Sequence, residues 1–459
     1  MLRRLTACCL LMALALASFC SNGFADDSPH LSIATFQVDA TPPIGSPLCD
    51  GAVPPVNEIV DPLSARGVVL LGSGRPIVLC AVDWVGIANG GYDAWREALA
   101  AAAGTSPDRV AVHTLHQHDA PGCDFEAEAI LAAHGLSGSM FHVAFAHETI
   151  ERAASACREA LKHSSPVTHI GLGRAKVDKV ASTRRPLGPD GKLKFIRWSG
   201  GNNAQVRAEP DGMIDPNVAL VSFWSGERPL ASLTYYATHP MSFYGKGGVS
   251  ADFAGVARGL REEALPDVVH IHFDGAGGDV TAGKYNGGTP ADRRTLGQRL
   301  ADGMKRAWDS SRKVPITADE VSWRTTEAAL PLNPNLPDET ALVHRVDNKK
   351  LPVMYRVRAA MDLAWVRRSA SGHKIQMSCL KLGPAYILDM PGELSVEYQL
   401  AAQRMRPHEF ICMAAYGDYG PGYICMAVHY SQGGYEPTAS RVGPAVESVL
   451  LAAMKELLK

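Results

Sequence analysis

The sequence lacks several features that would assign it to a common class of protein. Beyond the N-terminal segment, no stretch reaches the roughly 18 consecutive apolar residues that a membrane-spanning helix needs. The formal net charge is only -2, and no polybasic run is present, which argues against a nucleic-acid or acidic-membrane partner. No internal repeat or low-complexity tract occurs. We therefore expect a globular protein with no transmembrane segment and no nucleic-acid partner.

The spacing of the cysteines argues against two kinds of cysteine-based site. The chain has ten cysteines but no C-x-x-C pair, which argues against a thiolate zinc site or a dithiol redox centre. Cys8, Cys9 and Cys20 lie in the N-terminal segment, so seven cysteines remain after it. An odd number in an exported protein leaves at least one free thiol. One disulfide, between Cys49 and Cys123, is a pairing that the sequence allows.

The N-terminal segment has the pattern of a secretory signal. Two arginines near the start precede an apolar run over residues 5–19, and small residues lead up to Ala25. This pattern predicts a signal peptide over residues 1–25. Cleavage would leave residues 26–459 as the mature chain, exported to a periplasm or secreted from the cell.

Short Val- and Ile-rich runs alternate with amphipathic stretches along the mature chain. These patterns predict strands and helices. The predicted strands cover residues 66–72, 76–82, 109–114, 167–173, 218–224, 230–237, 268–273, 320–328, 375–382, 385–390 and 410–415. The predicted helices cover residues 92–103, 141–163, 253–264, 293–308, 394–404 and 443–458.

This order of elements indicates the class of fold. Alternating strands and helices are typical of α/β layers, and consecutive strands near residues 218–237 and 375–390 indicate a mixed sheet. The chain is 46% hydrophobic and 20% charged, a balance that can supply a large core. We expect a single large catalytic domain over residues 26–459, with a mixed β-sheet core flanked by helices. The long polar stretch over residues 174–215 is typical of a functional loop.

Polar side chains follow three of the predicted strands. One strand runs into His116-Gln117-His118, and in an extended segment both imidazoles would point the same way. A second strand ends at His239, and a third breaks at Pro-Gly and reaches Glu393. Taken singly, each has an ordinary structural explanation. The His-Gln-His segment could be a polar loop, His239 a core histidine, and Glu393 a carboxylate at a helix N-terminus.

Two further segments are rich in glycine. Residues 416–435 also contain many tyrosines, and residues 274–281 form a glycine-rich turn after a predicted strand. The turn has no lysine where a phosphate-binding loop needs one. Imidazoles, a carboxylate and a phenol, gathered near strand ends of an α/β fold, are suitable donors for Zn²⁺ with a retained water.

A set of motifs runs in order along nearly all of the mature chain. The motifs are residues 38–45, 61–66, 116–121, 182–186, 239–240, 249–252, 278–281, 391–393, 423 and 430–440. Together they resemble the neutral (alkaline, non-lysosomal) ceramidase family, which has His-Thr-His-Ser-Gly-Pro where this chain has residues 116–121.

The resemblance implies a zinc enzyme that hydrolyses the amide of an N-acyl lipid, ceramide, to a sphingoid base and a fatty acid. It implies these zinc ligands: His116, His239, Glu393 and Tyr423. It also implies that His118, Arg184 and Tyr435 line the pocket and contact the substrate amide. His118 is the expected proton carrier because an imidazole ordinarily titrates near neutral pH.

The sequence departs from the family pattern in two places. Thr281 stands where the family has a catalytic-site serine; it keeps a hydroxyl but adds a methyl group. We also expect this chain to have no counterpart of the family's C-terminal β-sandwich domain. Two alternatives stay open: a zinc amidohydrolase of a different N-acyl substrate, and a noncatalytic exported binding protein on the same scaffold. The sequence does not indicate an oligomeric state.

Overall fold

The computed structural model describes residues 30–459, so the predicted signal segment lies outside the described residues. The strands are β1 (Ser32–Asp39), β2 (Glu58–Ile59), β3 (Ser64–Gly72), β4 (Gly74–Val82), β5 (Gly86–Ile87), β6 (Val110–Thr114), β7 (Gly122–Cys123), β8 (Ser165–Pro166), β9 (His169–Lys176), β10 (Ser182–Thr183), β11 (Asn217–Ser225), β12 (Arg228–Tyr236), β13 (Gly248–Val249), β14 (Val269–Asp274), β15 (Val280–Thr281), β16 (Arg312–Pro315), β17 (Val321–Ala328), β18 (Ile375–Leu382), β19 (Ala385–Asp389), β20 (Glu393–Leu394), β21 (Phe410–Ala414) and β22 (Tyr423–Ile424). The helices are α1 (Asn89–Ala103), α2 (Phe125–Ala133), α3 (Val143–Ala160), α4 (Ala204–Ala208), α5 (Asp252–Ala264), α6 (Pro290–Asp309), α7 (Glu339–Asp347), α8 (Val353–Ala370), α9 (Val396–Met405), α10 (Ala427–Gln432), α11 (Tyr435–Ala439) and α12 (Val446–Leu457).

Three larger sheets organise these strands. Their orders are β6-β4-β3-β1-β8, β14-β12-β11-β9-β16 and β17-β18-β19-β21. Each sheet combines antiparallel pairs with a parallel pair, namely β4 with β6, β12 with β14, and β19 with β21. The predicted mixed-sheet α/β architecture is therefore confirmed.

The three sheets share one apolar core, and helices cover their other faces. Val68 of the first sheet, Leu233 of the second and Ile387 of the third are fully buried in the same cluster. Helices α1 and α3 pack on the first sheet, α5 and α6 on the second, and α12 on the third. Burial on both faces explains why the central strands are almost continuously apolar in sequence.

The carboxyl ends of the parallel strands meet at one edge of this core. The amide of Ala415, just after β21, donates to the carbonyl of Asp274 at the end of β14, at 2.9 Å. The amide of Thr114 at the end of β6 donates to the carbonyl of Tyr416 at 3.0 Å. The loops that follow β6, β12, β14 and β19 are consequently brought together, where α/β folds place their ligand sites.

The predicted long strands and helices are present, with small shifts at their ends. Among the elements of eight or more residues, the predictions omitted β1, α2, α7 and α8. Helix α8 was missed because its buried residues do not follow a single stripe, and such a helix lacks the 3.6-residue periodicity that marks an amphipathic one. Among residues 30–459, no helix is long and apolar enough to cross a membrane.

The allowed disulfide between Cys49 and Cys123 is wrong, since all seven cysteines of residues 30–459 are free thiols. Cys49 lies in a short turn, and its sulfur contacts His118 Nδ1 at 3.5 Å. Cys123 is buried in β7 against Gly91 of α1. The two thiols therefore have separate neighbours.

A buried ion pair links helix α5 to the residue that follows β4 and gives a prediction for stability. Arg258 of α5 donates to both carboxylate oxygens of Asp83 at 2.7 and 2.6 Å, and both side chains are buried. Arg258→Met leaves the Asp83 charge uncompensated, which typically costs about 3–5 kcal/mol. Arg367→Met is the matched control, because the Arg367–Glu339 pair is exposed and such pairs contribute about 0–1 kcal/mol. Chemical denaturation measures the free energy of unfolding of both variants. Equal and small decreases in the two variants would contradict the expected contribution of the buried ion pair.

Candidate metal centre

Three donor side chains converge beyond the strand ends. His116, His239 and Glu393 are all buried, and one donor atom from each lies within 4.8 Å of the others. Glu393 Oε2 lies 3.2 Å from His116 Nε2 and 3.0 Å from His239 Nε2. The sequence motifs that follow three different strands thus meet in one cluster.

Backbone carbonyls fix the orientation of both imidazoles. His116 Nδ1 contacts the carbonyl of Val85 at 2.6 Å, and His239 Nδ1 contacts that of Gly277 at 2.6 Å. A hydrogen bond from Nδ1–H to a carbonyl leaves Nε2 as the free lone pair. Both lone pairs are then directed toward Glu393.

His116 has a backbone conformation that the sequence did not predict. Its φ is 59°, in the left-handed region, so the expectation of an extended His-Gln-His segment is wrong at this residue. Non-glycine residues in this region cost on the order of 1–3 kcal/mol and cluster at functional sites. The His116 amide donates to the Trp84 carbonyl at 3.0 Å, and its ring stacks on Tyr416 at 4.6 Å. These contacts hold the strained residue in place.

Glu393 lies in β20, ahead of α9, and not at the head of that helix as the sequence suggested. Burial favours its protonated form, but the positive charge that His116 and His239 carry when protonated holds the pKa of Glu393 well below its ordinary value. The Tyr419 hydroxyl donates a short hydrogen bond to Glu393 Oε1. Glu393 therefore offers a charged oxygen to the cluster, with the other oxygen held by Tyr419.

Tyr423 lies directly beside Glu393, because the two residues are register partners in the parallel pair β20–β22. Its hydroxyl accepts a hydrogen bond from Arg184 Nη1 at 2.9 Å. Burial raises the pKa of Tyr423 well above its ordinary value, and Arg184 opposes this rise. The guanidinium is itself held by Glu436, with 3.3 Å between Arg184 Nε and Glu436 Oε1.

His118 faces the same cavity as His116, with 5.2 Å between the two ring centroids. Its Nε2 is buried and has no hydrogen-bond partner among residues 30–459. Burial, followed by the neighbouring His116 and His239, lowers the pKa of His118 well below its ordinary value. The side chain is therefore held neutral, with one nitrogen available to a ligand. The ordinary near-neutral titration that was the reason to expect His118 as the proton carrier does not apply to it in this buried position.

The other predicted residues differ in their placement, and Arg184 does not line the cavity as the resemblance implied. Tyr435 begins α11 and lines the cavity, with its ring 5.6 Å from that of Tyr423. Thr281 ends β15, where it forms a backbone bridge beside His239. Its hydroxyl accepts from the Gly283 amide at 3.2 Å, so the hydroxyl stabilises its own turn.

The cavity has a volume of about 350 Å³. Helix α8 supplies one wall through Met354, Val357 and Met361. Sequence reasoning missed this wall because it missed the helix. It also gave no role to Tyr419, although the tyrosine-rich segment that contains it had been singled out.

The three donors of the cluster could hold a metal ion, and their spacing can be compared with that of zinc ligands. Catalytic zinc sites use three N and O ligands at about 2.0–2.2 Å in tetrahedral geometry, which places neighbouring donors roughly 3.3 Å apart. The Nε2-to-Oε2 distances of 3.2 and 3.0 Å are close to this value. The carbonyl contacts of the two imidazoles are the outer hydrogen bonds usual for metal-ligating histidines.

The fold and the site together define a mixed α/β protein with a buried His₂Glu cluster at its strand ends. No protein-family model matches the sequence, and no curated protein matches it. Solved structures do share its fold. A ceramidase complexed with C2 superimposes with a TM-score of 0.68 and 14% identity, over 94% of this chain and 75% of that chain.

A second such structure is neutral ceramidase from Pseudomonas aeruginosa, with a TM-score of 0.69 and 14% identity. It is matched over 94% of this chain and 74% of that chain. The chain therefore has the fold of these ceramidases, which confirms at the level of fold the resemblance found in the ordered motifs.

Proposed function

We propose that this protein is a zinc-dependent hydrolase of linear amides that cleaves N-acyl lipids, with ceramide as the favoured substrate. The observation that carries the proposal is the buried cluster of His116, His239 and Glu393, opening on a cavity in a fold shared with two ceramidases. The signal-like pattern over residues 1–25 supports action outside the cytoplasm.

In this proposal His116, His239 and Glu393 hold the ion, and Tyr423 completes the set from its place beside Glu393. Bound zinc supplies Lewis acidity and a water of lowered pKa, which suits amide hydrolysis at neutral pH. Val85 and Gly277 keep both imidazoles in the ligating tautomer through their carbonyls. Tyr419 holds the remaining oxygen of Glu393.

Other side chains of the chain would handle the substrate amide. His118 Nε2 lacks a partner among the described residues and faces the cavity, so it is free to hydrogen-bond the carbonyl or the leaving nitrogen. Arg184 lies behind Tyr423 and Tyr435, with its guanidinium 5.8 and 5.6 Å from their rings. Its fixed positive charge favours negative charge that develops on this side of the cavity.

The shape of the cavity supports a substrate with an apolar part. Met354 and Met361 of α8 line it together with Val53, and polar groups including Glu393 and His118 line the same cavity. Ligand pockets typically combine such apolar walls with a few placed polar groups. An acyl chain along α8 would place its amide near the His₂Glu cluster.

A hydrolysis screen tests the proposal. Purified protein reconstituted with zinc is given short-chain ceramide, other N-acyl lipids and small water-soluble amides, and fatty-acid release is measured with and without a chelator. The proposal expects release from ceramide that the chelator abolishes. Cleavage of other N-acyl substrates alone would favour the alternative amidohydrolase, and binding without any cleavage would favour the noncatalytic binding protein.

A further inference from the structure

A second group of potential metal ligands lies outside the candidate centre. Asp279, Glu397 and His429 each offer one donor atom, and these atoms lie within 4.8 Å of one another. All three side chains line a separate cavity of about 490 Å³. They come from three segments: the turn before β15, the first turn of α9, and α10.

The donor atoms of this group are largely free of other partners. Asp279 and His429 are buried, at 2% and 4% exposure. His429 Nε2 lies 3.3 Å from Glu397 Oε1. Asp279 Oδ1 accepts from the Val396 amide at 2.8 Å, and the Asp279 carboxyl lies within hydrogen-bond reach of the Glu397 carboxyl. Glu397 Oε2 is shielded from solvent and accepts no hydrogen bond within residues 30–459.

Within residues 30–459, the carboxylate charges in this cavity are not balanced by lysine or arginine, and His429 is the basic side chain beside them. Among the described residues, no Lys or Arg lies within ion-pair distance of Asp279 or Glu397. Arg185 lines the same cavity, but it is paired with Glu436 at 2.7 Å. Two neighbouring carboxylates with little solvent must either share a proton or face a cation. Burial, followed by Glu397, raises the pKa of Asp279 well above its ordinary value, which reflects this imbalance.

We propose that Asp279, Glu397 and His429 bind a second divalent transition-metal ion, of the zinc or manganese class, in addition to the ion of the His116 cluster. One imidazole and two carboxylates suit such ions, and a divalent charge offsets both carboxylates at once. The separation of the donors, at most 4.8 Å, allows them to close around an ion with small side-chain shifts.

The second ion would brace the segments that carry the first centre. Asp279 lies two residues after Gly277, whose carbonyl holds His239, and Glu397 of α9 lies four residues after Glu393 of β20. An ion joining Asp279 to Glu397 therefore fixes the glycine-rich turn against the start of α9. Its expected role is structural, and it does not depend on the proposed hydrolase activity.

Zinc stoichiometry of the full chain tests the proposal. Protein stripped with a chelator is titrated with Zn²⁺ by calorimetry, and bound metal is measured by elemental analysis after dialysis. The wild type is expected to bind two ions per chain. His429→Ala and Glu397→Gln are each expected to bind one and to keep the ion of the His116 cluster.

His239→Ala is the complementary variant and is expected to lose the other ion while retaining the second. Zinc should therefore still raise the melting temperature of His239→Ala, and should no longer do so in a His239→Ala, Glu397→Gln double variant. One ion in the wild type, unchanged in His429→Ala and Glu397→Gln, would overturn the proposal. Glutamine has nearly the same shape as glutamate, so Glu397→Gln is expected to fold normally. Loss of one ion in this variant can then be assigned to the missing carboxylate. Failure of the hydrolase proposal leaves these stoichiometries unaffected.

Discussion

His239→Ala is expected to abolish tight zinc binding at the His116 cluster and nearly all amide hydrolysis. The substitution removes one of three convergent donors and frees the Gly277 carbonyl. Loss of an outer hydrogen bond to a metal ligand already costs about 10–100-fold in metal affinity, so loss of the ligand itself should cost more. Without the ion, kcat should fall by more than the roughly 100- to 1,000-fold typical of one lost oxyanion donor.

Metal analysis and steady-state kinetics measure the two effects on the same preparation. His163→Ala is the matched control, since its side chain is 75% exposed and lies away from the cavity. Circular dichroism and the melting temperature establish that the His239 variant is folded. A folded His239→Ala protein that keeps wild-type activity would show that the cluster is not the catalytic centre.

Arg184→Met is expected to weaken zinc binding and lower kcat by about 10–100-fold, as for other partners that orient metal ligands. Arg184 donates to the Tyr423 hydroxyl and ion-pairs with Glu436 in a buried position. Methionine fills a similar volume but supplies no hydrogen bond and no charge. Tyr423 would then lose the group that holds its oxygen beside Glu393.

The conservative variant Arg184→Lys separates charge from geometry. Lysine keeps the positive charge but lacks the planar fork that contacts Tyr423 and Glu436 together, so an intermediate loss is expected. Zinc affinity, kcat and KM are measured for both variants. An increase in KM alone, with zinc affinity and kcat unchanged, would make Arg184 a substrate-binding residue and contradict a role in orienting Tyr423.

The convergence of His116, His239 and Glu393 could be anticipated from where these residues lie relative to the predicted strands. His116, His239 and Glu393 each come soon after an apolar strand, and the ends of such strands meet in an α/β fold. The order of motifs along the chain also identified the fold. No distance between the loops was needed for either inference.

The surroundings of the ligands could not be predicted, because they depend on contacts between distant segments. Tyr419 reaches Glu393, and the Val85 carbonyl fixes His116, across separations that no local pattern encodes. The left-handed backbone of His116 is rare for a residue with a β-carbon. Helix α8 carries no clear apolar stripe, so the wall of the cavity was not expected.

The environment of Thr281 and the grouping of Asp279, Glu397 and His429 could not be predicted from the sequence either. A hydroxyl at the position of the family serine looks like a catalytic group in sequence, yet here it accepts from the nearby Gly283 amide. Asp279, Glu397 and His429 lie far apart in the chain, and only the packing of α9 and α10 on the glycine-rich turn brings them together.

Under the proposed function, amide hydrolysis depends on zinc held by His116, His239 and Glu393. Stripped protein should be titrated with zinc while fatty-acid release from short-chain ceramide is followed in wild type and in the Glu393→Gln variant. We predict that wild-type activity returns in proportion to occupancy of one site and that Glu393→Gln recovers almost none. Full activity in the metal-free wild type, or equal recovery in Glu393→Gln, would contradict the account.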